Sequence, residues 1–341
     1  MRNIKELSRE ELSGVLASWK EPSFRAGQVM DWVFRKGASG FSAMTDIPAG
    51  LREKLEKEFS FLSLSLAAAQ ESADGTRKLL FKLGDGKFIE AVSIPADNRL
   101  TGCVSSQAGC KFACKFCASG MLGFKRDLSS AEILDEVLYL KNNSSLPLTH
   151  IVFMGTGEPL DNYDNVMKAV RIINSPGGFN IGARRITIST CGLVPGIEKL
   201  AGEGLQIELS VSLHAADDRT RDALMPVNKR YPVKELIAAC RKYNEKTNRQ
   251  VTFEYILAAG VNSDLSSARR LCKMVTGLDC KFNLIPVNPR KETGLEAPLK
   301  QDAVAFREAL AKAGIPVTIR RPRGQDIEAA CGQLRLRYEK K

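Results

Sequence analysis

The sequence predicts an α/β fold: a partial (βα)6 barrel preceded by a small N-terminal helical domain and a β-hairpin extension. Three observations carry this. From about residue 100, apolar strand-like runs alternate with helical runs, which calls for a parallel sheet with right-handed crossovers. Residues 1 to about 70 instead carry apolar residues at three- and four-residue spacing, the period of a helix. Between the two regions, a pair of β-prone runs flanks a Gly-rich turn. A length of 341 residues suits two domains, or one large barrel with an appendage.

The elements follow in order. Helices are expected over 10–19, 25–36 and 47–58, separated by Glu21-Pro22-Ser23 and by Lys36-Gly37-Ala38-Ser39-Gly40. The hairpin pairs 78–83 with 87–92 around Gly84-Asp85-Gly86. Barrel strands are expected at 100–105, 150–154, 185–189, 206–213, 250–257 and 281–286, with helices near 129–142, 162–173, 195–202, 233–247, 263–276 and 302–313. The expected division is therefore 1–70 (helical accessory domain), 71–99 (hairpin extension) and 100–341 (barrel core with a basic C-terminal segment). Reactive residues of such a barrel sit on the loops after the strand C-terminal ends.

Composition narrows the function classes. An apolar content of 44% excludes disorder and fibrous repeats. No apolar run approaches the roughly 18–20 residues of a membrane span, and Met1 to Ser8 lacks a secretory-type apolar core, so a cytoplasmic protein is expected. Nine cysteines there point to metal binding or thiol chemistry rather than structural disulfides. Two histidines, His150 and His214, argue against a multi-histidine zinc site. The net charge of +11 fits either a solvated basic surface or a polyanionic partner. The excess is concentrated at the end of the chain, where residues 312–341 hold eight basic and three acidic side chains.

The most specific signal is Cys110-Lys111-Phe112-Ala113-Cys114-Lys115-Phe116-Cys117, a C-x3-C-x2-C run after the first barrel strand. It precedes a helix that opens on the capping box Ser129-Ser130-Ala131-Glu132. Three close thiolates can hold three irons of a [4Fe–4S] cube, leaving the fourth iron open to a chelating ligand. Zinc is the competing reading, although structural zinc wants four ligands. Three buried structural cysteines are the remaining alternative.

This run resembles the radical S-adenosylmethionine (SAM) superfamily. The longer stretch from Cys103-Val104-Ser105-Ser106-Gln107-Ala108-Gly109-Cys110 through Phe116-Cys117-Ala118-Ser119-Gly120 resembles, more narrowly, the RlmN/Cfr family of RNA adenine methyltransferases. Also similar are Met154-Gly155-Thr156-Gly157-Glu158-Pro159-Leu160, Ser189-Thr190-Cys191-Gly192, Ser212-Leu213-His214-Ala215, Pro286-Val287-Asn288-Pro289 and the run from Arg323 to Leu334. The resemblance reaches the N-terminal part around Phe24-Arg25-Ala26-Gly27-Gln28. Thr156 stands where the family more often has Met, and Val287 where it has an aromatic residue.

The resemblance implies a radical SAM barrel with one [4Fe–4S] cluster on Cys110, Cys114 and Cys117. It implies SAM contacts from Gly157, Glu158, Ser189, Ser212, Leu213, His214 and Asn288. Read alone, Ser189 and Asn288 are turn or cap residues, and His214 is a hydrogen-bonded core residue. Cys331 alone reads as a small buried residue, but the resemblance makes it the carrier of an S-methylcysteine. Cys103 corresponds to the thiol that resolves a protein–RNA adduct, ending in a transient disulfide with Cys331. Glu90, a solvent-facing strand residue by pattern, corresponds to the proton acceptor. Cys191, Cys240, Cys272 and Cys280 match no catalytic position.

The implied route consumes two SAM molecules. One methylates Cys331. The other is cleaved at the reduced cluster to a radical that takes hydrogen from that methyl, and the carbon then adds to adenine. Glu90 takes the adenine proton, and Cys103 attacks the Cys331 sulfur. Implied partners are 23S rRNA and tRNA, whose target adenine must leave its stack, and an external electron donor such as flavodoxin or ferredoxin. A monomer is expected. The motifs at 157–159 and 323–326 favour the RlmN branch (adenine C2) over the Cfr branch (C8). A noncatalytic RNA-binding protein with a structural metal would need neither Cys103, Glu90 nor Cys331. Another radical SAM class, the methylthiotransferases, would carry a second cysteine set.

Overall fold

The computed structural model describes residues 1–121, 123–288, 293–320, 324 and 326–327. The chain opens with helices α1 (Arg9–Ser18), α2 (Phe24–Met30) and α3 (Ala49–Glu58). Ser8 starts α1 with a full capping box on Glu11. The helix expected over 25–36 leaves α geometry at Asp31 and finishes as a π-helical turn, Asp31–Arg35. The last helix begins only after Pro48, whose fixed φ suits a helix start. A short parallel pairing of Arg2 with Phe59 and Asn3 with Ser60 closes this unit.

The expectation of helix up to about residue 70 fails at Leu64. Residues Leu64–Glu71 form strand β1, followed by β2 (Arg77–Leu83), β3 (Phe88–Ala96) and β4 (Arg99–Cys103), all antiparallel neighbours. The extension is therefore not a separate hairpin. It has one strand more than expected and continues into the barrel sheet, because β4 turns to pair in parallel with β5 (Leu148–Phe153).

From β5 the sheet runs in parallel through β6 (Ile186–Thr190), β7 (Glu208–Ser212), β8 (Val251–Leu257), β9 (Cys280–Pro286) and β10 (Val317–Ile319). Among the described residues its ten strands lie in simple sequence order, with β1 and β10 at opposite edges, an open barrel. Crossovers are made by α4 (Ser130–Asn142), α5 (Tyr163–Asn174), α6 (Val194–Ala201), α7 (Asp218–Leu224), α8 (Val233–Thr247), α9 (Leu265–Met274) and α10 (Lys300–Lys312).

Strand alternation divides the sheet into two faces. Ile186, Ile188, Leu209, Val211, Val251, Phe253 and Phe282 are buried in the apolar core. The opposite face carries the cross-strand row Ser212, Glu254, Asn283 and Thr318, with Ser189 beside Ser210. Ser210 donates to Glu254 Oε1 at 3.0 Å within it. This face places polar groups where a barrel of this kind binds its ligands. Among the described residues, no helix is long and apolar enough to cross a membrane.

Candidate active site

The three cysteines sit in the excursion that follows β4. Gln107–Ala108 pairs antiparallel with Arg126–Asp127 and closes the base of that loop. Gly109 at φ 92° is required there, since a Cβ would lie 1.8 Å from the Gly123 carbonyl oxygen. Cys117 N–H donates to Cys114 O at 3.0 Å, and Lys115 N–H donates to Leu224 O at 2.9 Å, which docks the loop on α7.

The thiols feel one another. Burial first, then Cys117 and Glu158, pushes Cys110 up to about 12, against an N–H···S bond from Phe112. Cys114 is raised by burial and by both other cysteines, while Arg221 pulls it down. Among the described residues, no three His, Cys, Asp or Glu side chains stand at metal-ligand spacing, so the loop brings the thiols near without closing a cage. Their chemistry still fits a cluster. Cys110 and Cys114 are held as neutral thiols in the absence of a cation, and a bound metal would favour their thiolates. Orphaned buried hydroxyls also gather here: those of Ser106, Ser119 and Thr156 have no hydrogen-bond partner among the described residues.

The loop after β5 abuts this excursion. Gly157 is left-handed at φ 113°, and a Cβ would meet Ser106 Oγ at 2.6 Å and Gln107 N at 2.7 Å. Gln107 ties the two loops together. Its Oε1 accepts from Glu158 N–H (2.8 Å), and its Nε2 donates to Asp127 and Asp161 (2.8 Å each). The Glu158 carboxylate is buried, and burial raises its pKa. Oε1 accepts from Leu160 N–H (3.0 Å) and Oε2 from Cys191 N–H (2.7 Å). Thr190 and Cys191 side chains also bond to this carboxylate and favour its charged form.

Ser189, Ser212, Leu213 and His214 lie at or just past the ends of β6 and β7. His214 is left-handed at φ 55°, a conformation that costs a non-glycine residue about 1–2 kcal/mol. Its carbonyl accepts from Asn262 Nδ2 at 2.7 Å, and its Nδ1 accepts from Ile256 N–H at 3.0 Å. The ring proton is therefore on Nε2. Burial, then Arg221, lowers its pKa to about 3, so the imidazole is neutral. Its ring meets Phe116 edge-on, centroids 4.6 Å apart, which places it against the cysteine loop. Asn288 follows β9 and is exposed.

On the extension, register brings the expected thiol and carboxylate together. Cys103 pairs with Val92, and Lys78 also pairs with Val92 across the other edge of β3. Glu90, two residues before Val92, therefore shares their face. That face is opposite the one on which Phe81 meets Tyr139 of α4. Glu90 is not solvent-facing as its pattern suggested. It is 3% exposed and pairs at 2.9 Å with Lys78, which is 0% exposed. Its carbonyl accepts from Ser105 Oγ (2.6 Å), and Ser105 Oγ in turn accepts from Thr156 N–H (2.9 Å), which ties the extension to the loop after β5. Cys331 and the run from Glu328 lie outside the described residues. Before it, Asp326 engages Ser72 Oγ and accepts from Ala73 N–H (2.9 Å).

Residues 104–270 match the Radical SAM superfamily model, and residues 2–60 match the ribosomal RNA large subunit methyltransferase N-terminal domain. A probable dual-specificity RNA methyltransferase RlmN of Pelotomaculum thermopropionicum is 46% identical over 335 residues, covering 98% of this chain and 91% of that protein. The chain belongs to the RlmN family. Another probable RlmN, from Thermoanaerobacter sp., is 45% identical across 100% of this chain and 99% of its own length. The crystal structure of a radical SAM methyltransferase from Sphaerobacter thermophilus, 43% identical, has a TM-score of 0.94 and covers 98% of this chain and 99% of that one. As a radical SAM protein of the RlmN family, the chain uses a [4Fe–4S] cluster and SAM.

Sequence reasoning missed three site residues of this RlmN-family chain. Lys78 gave no signal, because its partner is set by strand register. Gln107 lies inside a family-like motif, but its residue type alone points to no role. Arg221 falls between the expected elements and gave no signal, yet it is wholly buried.

Proposed function

We propose that this chain is a dual-specificity RNA methyltransferase that transfers a methyl group to C2 of adenine in 23S rRNA and in tRNA. The observation that carries the reading is the near full-length likeness to proteins named for that activity, joined to a polar barrel mouth where the cysteine loop, Glu158 and His214 converge. Cys110, Cys114 and Cys117 would hold the cluster, and Gly157, Glu158, Ser189, Ser212, Leu213, His214 and Asn288 would hold SAM. When bound, cluster and SAM together supply the one-electron cleavage that an unactivated ring carbon requires.

The chain's own residues do the rest. Gly157 lets backbone approach the cofactor, and Glu158 offers its carboxylate to the cofactor's ammonium. The neutral His214 offers a single donor, Nε2–H. Cys331 carries the methyl group as a thioether, so two SAM molecules are consumed per product. Glu90, buried beside Lys78, takes the proton from the adenine ring. Cys103, on the same face, releases the product by attack on the Cys331 sulfur, leaving a transient disulfide. The N-terminal helical unit and the basic C-terminal segment grip RNA. The protein works as a cytoplasmic monomer with a flavodoxin or ferredoxin as reductant. Nucleoside mass spectrometry of 23S rRNA and tRNA treated with reconstituted protein tests this. We expect 2-methyladenosine in both; 8-methyladenosine alone would assign the Cfr-type reaction instead.

A further inference from the structure

We propose that Arg221 is a positioning residue with an electrostatic role. Its buried guanidinium stabilises the reduced, more anionic cluster while its fork fixes the strand ends behind the SAM site. The inference rests on the assignment of the cluster to Cys110, Cys114 and Cys117.

The guanidinium spends its donors on neutral acceptors. Nε donates to Leu213 O at 3.0 Å, and one terminal nitrogen donates to Asn228 Oδ1 at 3.0 Å. The other donates to Cys191 O at 2.7 Å and to Ser212 O at 3.1 Å. Among the described residues, no carboxylate forms an ion pair with it. Asp218 acts on it electrostatically, but Asp218 Oδ1 is taken by Asn228 Nδ2 (3.0 Å) and Val233 N–H (2.8 Å). A wholly buried guanidinium held only by neutral groups is costly. A neighbouring anion offsets that cost, and the thiol loop is where one forms. The end of α7 that follows Arg221 docks on that loop through Lys115 N–H to Leu224 O, and Cys114 and Cys191 both feel the charge.

The same fork reaches two strand ends. Cys191 follows β6, and Ser212 and Leu213 close β7. The Cys191 backbone is held at both ends, its N–H donating to Glu158 and its carbonyl accepting from Arg221. Gly192 makes room: at φ 105°, a Cβ there would lie 3.0 Å from the guanidinium. Arg221 thus sets which way the carbonyls of the expected SAM residues point, and its charge acts on Cys114 of the thiol loop.

On reduction the cluster takes one electron from an external one-electron donor and no proton, so negative charge grows on a group already bearing three thiolates. A fixed positive charge nearby favours that state, since net charge and local charge set such potentials. Lys keeps the charge at this site without the planar fork, whereas Gln and Met lose both.

The test is an anaerobic dithionite titration of the reconstituted full chain, followed by electron paramagnetic resonance (EPR), for the parent, Arg221→Lys, Arg221→Gln and Arg221→Met. Gln and Met are expected to make reduction at least about tenfold less favourable, a shift of about 59 mV to more negative potential. Arg221→Lys is expected to stay near the parent potential but bind SAM more weakly. Should Arg221→Met fail to fold, the Lys and Gln pair still decides, because a purely structural role predicts the same behaviour from both. Equal potentials in all loaded variants, or equal shifts in Lys and Gln, overturn the inference. Failure of the parent itself to take up iron and sulfide overturns the cluster assignment and the inference with it.

Discussion

Replacing Lys78 by Met removes the ammonium that stands 2.9 Å from Glu90 Oε2. Both side chains are buried, so water does not take its place. Removing one member of a buried pair costs about 3–5 kcal/mol, because the remaining charge stays in a poor solvent. The contrast within the molecule is the Lys242–Glu198 pair. It is as short, at 2.8 Å, but 66% and 44% exposed, and such pairs are worth about 0–1 kcal/mol. Distance is nearly the same in the two pairs, so burial decides the outcome. Urea denaturation of the cluster-free protein should therefore rank Lys78→Met at least about 3 kcal/mol below the parent and Lys242→Ala within about 1 kcal/mol of it. Adding Glu90→Gln to Lys78→Met should recover part of the loss, because no charge is then left behind. A Lys78→Met variant as stable as Lys242→Ala would show that burial does not set the strength of this pair, and so would a double variant less stable than Lys78→Met.

Other predictions follow from the same geometry. Cys114→Ala should lose the brown chromophore and its iron on reconstitution while keeping the fold by circular dichroism; retained iron would remove Cys114 from the ligand set. Stability should fall as pH drops from about 6.5 toward 3, because the buried His214 resists protonation until about 3 whereas an unfolded imidazole accepts a proton near 6.5. At pH 5 that amounts to about 2 kcal/mol. His214→Gln should flatten this part of the profile, and an unchanged slope would contradict the burial argument. Cys331→Ala should abolish methyl loading of the protein, measured by intact mass; full-rate transfer to RNA by that variant would end its role as carrier. Cys103→Ala should trap a protein–RNA crosslink on a denaturing gel, and its absence would count against the resolving role.

Much of the barrel was legible because its strands alternate with amphipathic helices. The expected helix over 233–247 coincides with α8, Val233–Thr247. The loops after β5, β6 and β7 were legible for the same reason, since a parallel sheet puts its ligands at the strand C-terminal ends. Strand β1 was not. Its segment Leu64-Ser65-Leu66-Ala67-Ala68-Ala69 is rich in helix formers, and only pairing with β2 overrides that local preference. Strand β10 spans three residues, too few for a period to show. Glu90 looked solvated because its neutralising partner lies twelve residues earlier and is brought to it by register alone. Arg221 was hidden for a related reason. A charged residue on a short helix reads as surface until the four acceptors that hold it are known.

The proposed chemistry stands on the C-x3-C-x2-C loop holding a cluster with one iron open to SAM. EPR of the anaerobically reconstituted and reduced protein, recorded with and without SAM alongside iron and sulfide analysis, probes this without any RNA present. About four irons and four sulfides per chain are expected, with a cubane signal that changes shape when SAM is added. A zinc-loaded protein without chromophore, or a cluster signal indifferent to SAM, would contradict it.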